Sequence, residues 1–297
     1  MSDSFFQVPG GPRICYRVDG PASAEPLVLI AGLGLDLTSW PQSMVDGFTG
    51  AGFRVIRFDN RDAGCSSRID APPPGRLRQL FARPHPGAYD LGDMAADTVG
   101  LLDHLGAGRA HLVGMSMGGM IAQTVAARHP DRVATLTSIF STTGHRRVGQ
   151  PARSTLVRMA RRPARTVDES VRAHLAMLRH IGSAGFPPDD DGERAWAAGL
   201  WERTGGRAGR QGIPRQISAI QASGDRTAEL ARITAPTLVI HGDTDRMVHP
   251  SGGRATARAI PGARYVEITG MGHHLSPGVV DRLVRLTTDL ALQGDPR

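Results

Sequence analysis

The sequence lacks lysine altogether, although its 297 residues include 35 basic side chains against 28 acidic ones, for a net charge of +7. Every basic residue is therefore arginine, which we interpret as a compositional bias. The excess lies in one region, because residues 144–232 hold 16 of the arginines and only 9 of the acidic residues. Aromatic residues are scarce at 5%, and no nucleic-acid-binding module is recognisable. We therefore expect no nucleic-acid partner.

Cysteine is also scarce. Cys15 and Cys65 are the only two, too few for a disulfide framework and without the spacing of metal ligands. No uncharged apolar run approaches the roughly 20 residues of a membrane span, and the first residues do not resemble a secretory signal. We therefore expect a cytoplasmic protein with two free thiols, no metal, no other cofactor and no membrane partner.

Short apolar or β-branched runs alternate along the chain with longer stretches compatible with helices. This pattern is typical of βα units around a largely parallel sheet. From the third run onward strict alternation is missing, as expected of strands that are buried on both faces. The predicted strands lie near residues 4–9, 13–18, 27–31, 53–58, 110–115, 133–140, 236–241 and 264–268, and the predicted helices over 38–50, 91–105, 117–129, 252–260 and 277–292.

Two segments interrupt this alternation of strand and helix patterns. Between about 142 and 232, arginine-rich helical patterns replace the strand signals, which predicts an insertion into the α/β domain. The proline-rich stretch 71–86 predicts an exposed loop with at most one helical turn.

The strongest local motif is Gly114-Met115-Ser116-Met117-Gly118, which stands where a strand pattern ends and a helix pattern begins. A nucleophile on such a tight turn needs small residues two positions before and after it, so that its hydroxyl projects above the sheet. The five-residue pattern alone is weak, since the chain contains 37 glycines. Its position between a strand and a helix makes Ser116 the predicted nucleophile.

A serine nucleophile needs a histidine base and a carboxylate that orients it. Two later strand runs end in loops that supply both, and their order along the chain is serine, acid, histidine. In the first loop we favour Asp245 over Asp243, because the later position lets the loop turn back toward the histidine. In the second, His273 follows a Gly-Met-Gly turn and is favoured over His274.

Acyl transfer also needs N–H donors aimed at the oxyanion that develops on the substrate. We predict one from Met117, directly after the nucleophile. The second is predicted from Leu33, in the glycine-rich loop that follows the strand near 27–31. Gly32 and Met115 flank these donors and are candidate substrate contacts.

These motifs together resemble the α/β-hydrolase superfamily over nearly the whole chain, and within it the anthracycline methylesterase-like branch of actinobacterial esterases and lipases. Ala31 stands where many relatives have histidine. Asp62 stands where many have glycine, a departure that the methylesterase-like branch shares. The resemblance rests on Gly32-Leu33-Gly34 with Trp40, the segment 57–66, the motif at 114–118, Asp245 and the turn 270–273.

The resemblance implies an eight-stranded, mostly parallel sheet flanked by helices, formed by residues 1–141 and 233–297, with residues 142–232 as a helical cap. Trp196 and Trp201 in the cap either line an apolar substrate pocket or pack the core of the cap. Its arginines either attract anionic substrates or form a solvated surface.

The expected reaction is hydrolysis of a small apolar or aromatic carboxylic ester, at branch level a methyl ester of a polycyclic polyketide. Acyl transfer, carbon–carbon bond hydrolysis and cofactor-free perhydrolysis remain alternatives that use the same three residues. The oligomeric state is not predicted.

Overall fold

A computed structural model describes residues 2–71 and 87–293 of the chain. Eight strands form one mostly parallel sheet, and helices cover both of its faces. The predicted fold class is confirmed. The strands are β1 (Ser4–Gln7), β2 (Arg13–Asp19), β3 (Glu25–Ile30), β4 (Phe53–Phe58), β5 (Ala110–Met115), β6 (Val133–Ile139), β7 (Thr237–Gly242) and β8 (Arg264–Ile268).

The α-helices of the described residues fall into two groups. Five flank the sheet, and five lie between β6 and β7. The flanking helices are α1 (Gln42–Gly50), α2 (Leu91–His104), α3 (Met117–Arg128), α9 (Ser251–Ala259) and α10 (Pro277–Gln293), and the others are α4 (Arg153–Met159), α5 (Val167–Ile181), α6 (Asp190–Arg203), α7 (Ile213–Ser223) and α8 (Thr227–Leu230).

The strand order is β1-β2-β4-β3-β5-β6-β7-β8, and only the β1–β2 and β2–β4 pairs are antiparallel. Strand β5 therefore lies in the middle of the sheet. Ile30 pairs with Gly114 across β3 and β5, and Ile139 pairs with Ile240 across β6 and β7. Because parallel strands end at the same edge, the loops after β3, β5, β6 and β7 meet there, where open α/β sheets bind ligands.

The two faces of the sheet bury separate clusters of apolar side chains. Successive residues of a strand point to opposite faces, so Val28 packs with the α2 and α3 cluster and Leu29 with the α1 and α10 cluster. Strands β5 and β7 are buried along their whole length, which explains why their sequences lack alternation.

One predicted helix is shorter than expected. The helix predicted over 38–50 is divided into a 3-10 turn at Leu37–Ser39 and α1, with extended backbone at Trp40. The reason is Pro41, which lacks an N–H and disfavours helical conformation in the residue before it. The loop predicted over 71–86 lies outside the described residues from 72 onward.

The segment between β6 and β7 contains only helices and turns among its regular elements, as its sequence predicted. Helices α5 and α6 pack together around a small core of their own, which includes Val171, Leu175 and Ala197. We refer to residues 142–232 as the cap, whose boundaries remain those predicted from the sequence. None of the helices in the described ranges is long and apolar enough to cross a membrane.

Candidate active site

Ser116 lies on a strained turn between β5 and α3. Its φ of 55° is in the left-handed region, which costs a residue with a side chain on the order of 1 kcal/mol or more. The flanking glycines make the turn possible, because a Cβ on Gly114 would lie 2.2 Å from the Gly118 oxygen and one on Gly118 would lie 1.9 Å from the Ile30 oxygen. The Ser116 N–H donates to Ile139 at 3.0 Å, which ties the turn to β6.

Three side chains from three strand-end loops form one chain of hydrogen bonds. The Oγ of Ser116 lies 3.1 Å from Nε2 of His273. Nδ1 of the same ring lies 2.7 Å from Oδ2 of Asp245. In this arrangement a neutral His273 carries its proton on Nδ1 and presents the lone pair of Nε2 to the serine.

Asp245 is held in its ionised form. Its Oδ1 accepts hydrogen bonds from the N–H groups of Met247 and Val248 at 2.8 and 2.9 Å, and Nε2 of His241 lies 3.4 Å from Oδ2. Burial by itself raises the pKa of Asp245, but the neighbouring His273 and the hydrogen bonds from His241 and His273 lower it well below its usual range. A carboxylate is therefore present at neutral pH.

The cap fixes the loop that carries His273. The backbone N–H of His273 donates to the Ile181 carbonyl at the end of α5, at 2.7 Å. The Gly272 N–H donates to the hydroxyl of Ser183 at 3.0 Å. On the other side, the ring of Phe140 packs against the imidazole with centroids 4.4 Å apart.

The two alternative residues in these loops have other partners. Asp243 is exposed, and its Oδ1 accepts from the Gly270 N–H at 2.7 Å. It therefore joins the acid loop to the histidine loop. His274 turns to Glu193 of α6, with Nε2 2.8 Å from the carboxylate. The structure brings neither side chain to Ser116.

The predicted N–H donors, Leu33 and Met117, belong to two segments that lie next to Ser116. Gly32 is so close that a Cβ there would meet the Ser116 Cβ at 3.3 Å, which places the glycine-rich loop beside Ser116. Within the described part of the chain, the N–H groups of Leu33 and Met117 donate to no protein acceptor. Met117 is also the first residue of α3, where the helix dipole favours negative charge.

A buried glutamine joins the glycine-rich loop to the cap. Oε1 of Gln216, in α7, accepts from the Gly34 N–H at 2.8 Å, and its Nε2 donates to the Arg61 carbonyl at 2.9 Å. Sequence reasoning missed this residue, since a single glutamine in a helix carries no pattern that would indicate a partner 182 positions away.

The remaining predicted contacts lie in different surroundings. Met115 is buried in the α1 and α10 side of the core. Trp196 packs on His174, and its Nε1 donates to the Thr38 carbonyl at 3.1 Å, so it joins the cap to the core. Trp201 is half-buried near the C-terminal end of α6. Their roles as substrate contacts stay predictions.

Arg203 of α6 forms a further link between cap and core. Its guanidinium lies 2.6 Å from Asp36, 2.9 Å from Asp59 and 3.0 Å from Asp3. Asp3 also belongs to the one group of described residues with metal-like spacing, together with Cys15 and Cys65. The arginine already supplies positive charge there, 3.3 Å from the Cys15 sulfur.

Comparisons with known proteins extend over most of the chain. The profile of the family described as alpha/beta hydrolase fold matches residues 25–277. Rhodomycin D methylesterase DauP of Streptomyces sp. (strain C5) is 36% identical over 288 residues, which cover 90% of each chain. Rhodomycin D methylesterase DnrP of Streptomyces peucetius is 35% identical, with 89% of each chain covered. The crystal structure of the enol-lactonase from Burkholderia xenovorans LB400 is 26% identical and aligns with a TM-score of 0.73, covering 97% of this chain and 100% of that one.

Proposed function

The chain belongs to the α/β-hydrolase fold family, and on this premise we propose that it is a serine carboxylic ester hydrolase whose catalytic residues are Ser116, His273 and Asp245. The observation that carries the proposal is the hydrogen-bonded chain from the carboxylate through the imidazole to the hydroxyl, 2.7 and 3.1 Å per step. The two methylesterase relatives, similar over about nine-tenths of the chain, support the same reaction class.

The first half-reaction transfers the acyl group to the enzyme. Nε2 of His273 takes the proton of Ser116 as Oγ attacks the carbonyl carbon of the ester. Asp245 stabilises the imidazolium that forms and keeps its Nδ1–H directed away from the serine. Collapse of the tetrahedral intermediate breaks the bond to the alcohol oxygen, and His273 returns its proton to the departing alcohol.

The second half-reaction regenerates the enzyme. Water attacks the acyl carbon, His273 takes a proton from that water, and Ser116 leaves with the proton restored to Oγ. In both halves the oxyanion is stabilised by the N–H groups of Leu33 and Met117. This role is supported by the finding that neither group donates to an acceptor among the residues that the structure describes. Loss of one such donor typically costs about 10²- to 10³-fold in kcat.

For the substrate we propose a methyl ester of a polycyclic aromatic polyketide, so that the departing alcohol is methanol. This assignment is supported by the relatives that act on rhodomycin D as methylesterases. The substrate assignment can be wrong while the reaction class is right, because a different ester would use the same three residues.

The reaction class is tested by the Ser116→Ala variant with p-nitrophenyl esters and with aromatic methyl esters. We expect kcat to fall by about 10⁶-fold, as when a nucleophilic serine is removed from other triads, while the melting temperature stays near that of the parent. Ser43→Ala, an exposed serine on α1, is the matched control and should keep full activity. Turnover retained by Ser116→Ala would contradict the assignment.

The substrate is tested separately with a panel of aliphatic, monocyclic and polycyclic aromatic methyl esters. We expect the largest kcat/KM for the polycyclic esters, with one methanol released for each acid formed. Hydrolysis of p-nitrophenyl esters but of no methyl ester would refute the substrate and leave the reaction class intact. Products formed preferentially with added alcohol or peroxide would identify acyl transfer or perhydrolysis instead.

A further inference from the structure

The positive charge of the chain is concentrated at the start of the cap. Residues 144–167 contain seven arginines and neither aspartate nor glutamate, so this short stretch equals the net charge of the whole chain, +7. Most of these arginines are exposed, among them Arg153, Arg161 and Arg162. A solvated surface normally intersperses both signs, which this one does not.

Exposed apolar side chains lie in the same stretch. Among the described residues five large hydrophobic side chains are exposed, and three of them belong to α4: Leu156 at 50%, Val157 at 68% and Met159 at 44%. Single exposed hydrophobic residues are ordinary on protein surfaces, but a cluster of them indicates a contact surface. We call Arg153, Leu156, Val157, Met159, Arg161 and Arg162 the basic apolar patch.

One side of α4 is fixed to the protein through Thr155, whereas Leu156 and Val157 remain at least half exposed. The buried Thr155 donates its hydroxyl to the Arg246 carbonyl at 2.9 Å and lies 3.0 Å from Nε2 of His180. The Ala152 N–H donates to the same Arg246 carbonyl at 3.0 Å.

We propose that the basic apolar patch docks the protein on the surface of an anionic lipid bilayer. Arginines would pair with the lipid phosphates while the apolar side chains enter the boundary between headgroups and acyl chains, as surface-bound amphipathic segments do. An anionic bilayer therefore accounts for both the positive charge of the patch and its exposed apolar side chains.

Other partners fit the patch less well. A second copy of the chain docked through the same patch would bring like charges face to face, which is destabilising. Nucleic acid would match the charge but not the aliphatic side chains, since bases stack on aromatic rings. The expectation of no membrane partner rested on the absence of a spanning segment, and docking on a surface needs none.

The docking surface lies beside the proposed active site. Arg246, which anchors α4, directly follows Asp245 in the acid loop. An enzyme bound through α4 would thus hold this loop near the bilayer, where apolar esters accumulate. Docking does not depend on the proposed reaction and is measured without it.

The test is co-sedimentation of the full chain with vesicles of phosphatidylcholine alone or mixed with phosphatidylglycerol. We expect binding only to the mixed vesicles, and weaker binding as salt is raised. The double variant Arg161→Ser with Arg162→Ser should lower the affinity for the mixed vesicles about 25-fold, since each arginine near an anionic surface raises the affinity about fivefold. Leu156→Ser with Val157→Ser should weaken it by about tenfold or more.

Matched controls separate the patch from charge and apolar area in general. Arg282→Ser with Arg285→Ser removes two exposed arginines from α10, and Leu292→Ser removes an exposed leucine from the same helix. Both controls should bind vesicles like the parent, and all variants should keep its melting temperature and its turnover of soluble esters. The proposal would be overturned if the protein bound neutral vesicles equally well, if it bound no vesicles, or if the control variants lost as much binding as the patch variants. It would also be overturned if the protein bound no vesicles and instead formed dimers that depend on Leu156 and Val157.

Discussion

Asp245 has two carboxylate oxygens with different tasks. Oδ1 accepts two backbone N–H groups of its own loop, whereas Oδ2 accepts from His273. The loop therefore fixes which oxygen faces the imidazole. Asp243 is only two residues away, but it lies on the exposed side and contacts the other loop through Gly270.

This division of tasks predicts the effect of Asp245→Asn. The amide oxygen must replace Oδ1, because two N–H donors face that position, so the amide NH₂ faces Nδ1 of His273. The imidazole then carries its proton on Nε2 and cannot accept one from Ser116. We expect kcat to fall by about 10⁴-fold, as in other triads with the wrong tautomer, measured with p-nitrophenyl esters.

Asp243→Asn is the matched control for that variant. Its amide oxygen can still accept from the Gly270 N–H, so we expect nearly full activity. A comparable loss in both variants would indicate that the acid loop needs negative charge in general and that Asp245 has no special role.

At the scale of single elements, α7 reaches the glycine-rich loop through Gln216, a fully buried residue. Gln216→Met keeps the approximate size of the side chain but leaves the Gly34 N–H and the Arg61 carbonyl without this partner. We expect a loss of about 10- to 100-fold in kcat, since small displacements of oxyanion donors are costly, with KM little changed. The affinity for a trifluoromethyl ketone, which mimics the tetrahedral intermediate, should fall in parallel.

Gln42→Met, in which an exposed glutamine of α1 is replaced, should change neither parameter. If Gln216→Met lowers only the melting temperature and leaves kcat and the ketone affinity unchanged, the glutamine stabilises the fold without positioning the loop.

Helices α5 and α6 meet the histidine loop at Glu193, which contacts His174 at 2.7 Å and His274 at 2.8 Å. Burial raises the pKa of Glu193, but the hydrogen bonds and charges of the two histidines outweigh it and lower the pKa from 4.5 to about 2. A carboxylate whose pKa is lower in the folded state stabilises the protein above its unfolded pKa, and this contribution is lost as the pH falls through the folded pKa.

We therefore expect Glu193→Gln to lower the free energy of unfolding most above pH 4.5, and the difference from the parent to shrink as the pH falls from 4.5 to about 2. Urea unfolding at a series of pH values measures this difference. Glu202→Gln, an exposed position on the same helix, should show no such trend. A difference that is independent of pH in this range would refute the ionic role of Glu193.

At the scale of the whole molecule, the strands and the helices that flank the sheet were predictable because each depends on a local pattern, whereas the separate helices of the cap were not predicted. Strands β4, β5 and β8 have the predicted bounds, and the others differ by at most two residues at an end. The exception is the helix predicted over 38–50, which Pro41 divides because it disfavours helical backbone in the residue before it.

The contacts of the cap were not predictable in the same way. Gln216, Glu193 and Arg203 act through partners far away in the sequence, and nothing in their neighbours indicates those partners. Asp62 illustrates the same limit: its carboxylate pairs with Arg215 of α7 and accepts from Tyr89 at 2.9 Å. These bonds hold the side chain of an aspartate whose φ is positive, and the sequence alone reveals neither partner.

The central claim is that Ser116 is the nucleophile of one site assembled from loops throughout the chain. It is tested most directly by treating the protein with a fluorophosphonate and locating the adduct by peptide mass spectrometry. We predict one adduct per chain, on the peptide that carries Ser116, and none in Ser116→Ala or after prior inactivation with another serine-directed reagent. An adduct on a different residue, or no adduct in protein that hydrolyses esters, would contradict the account.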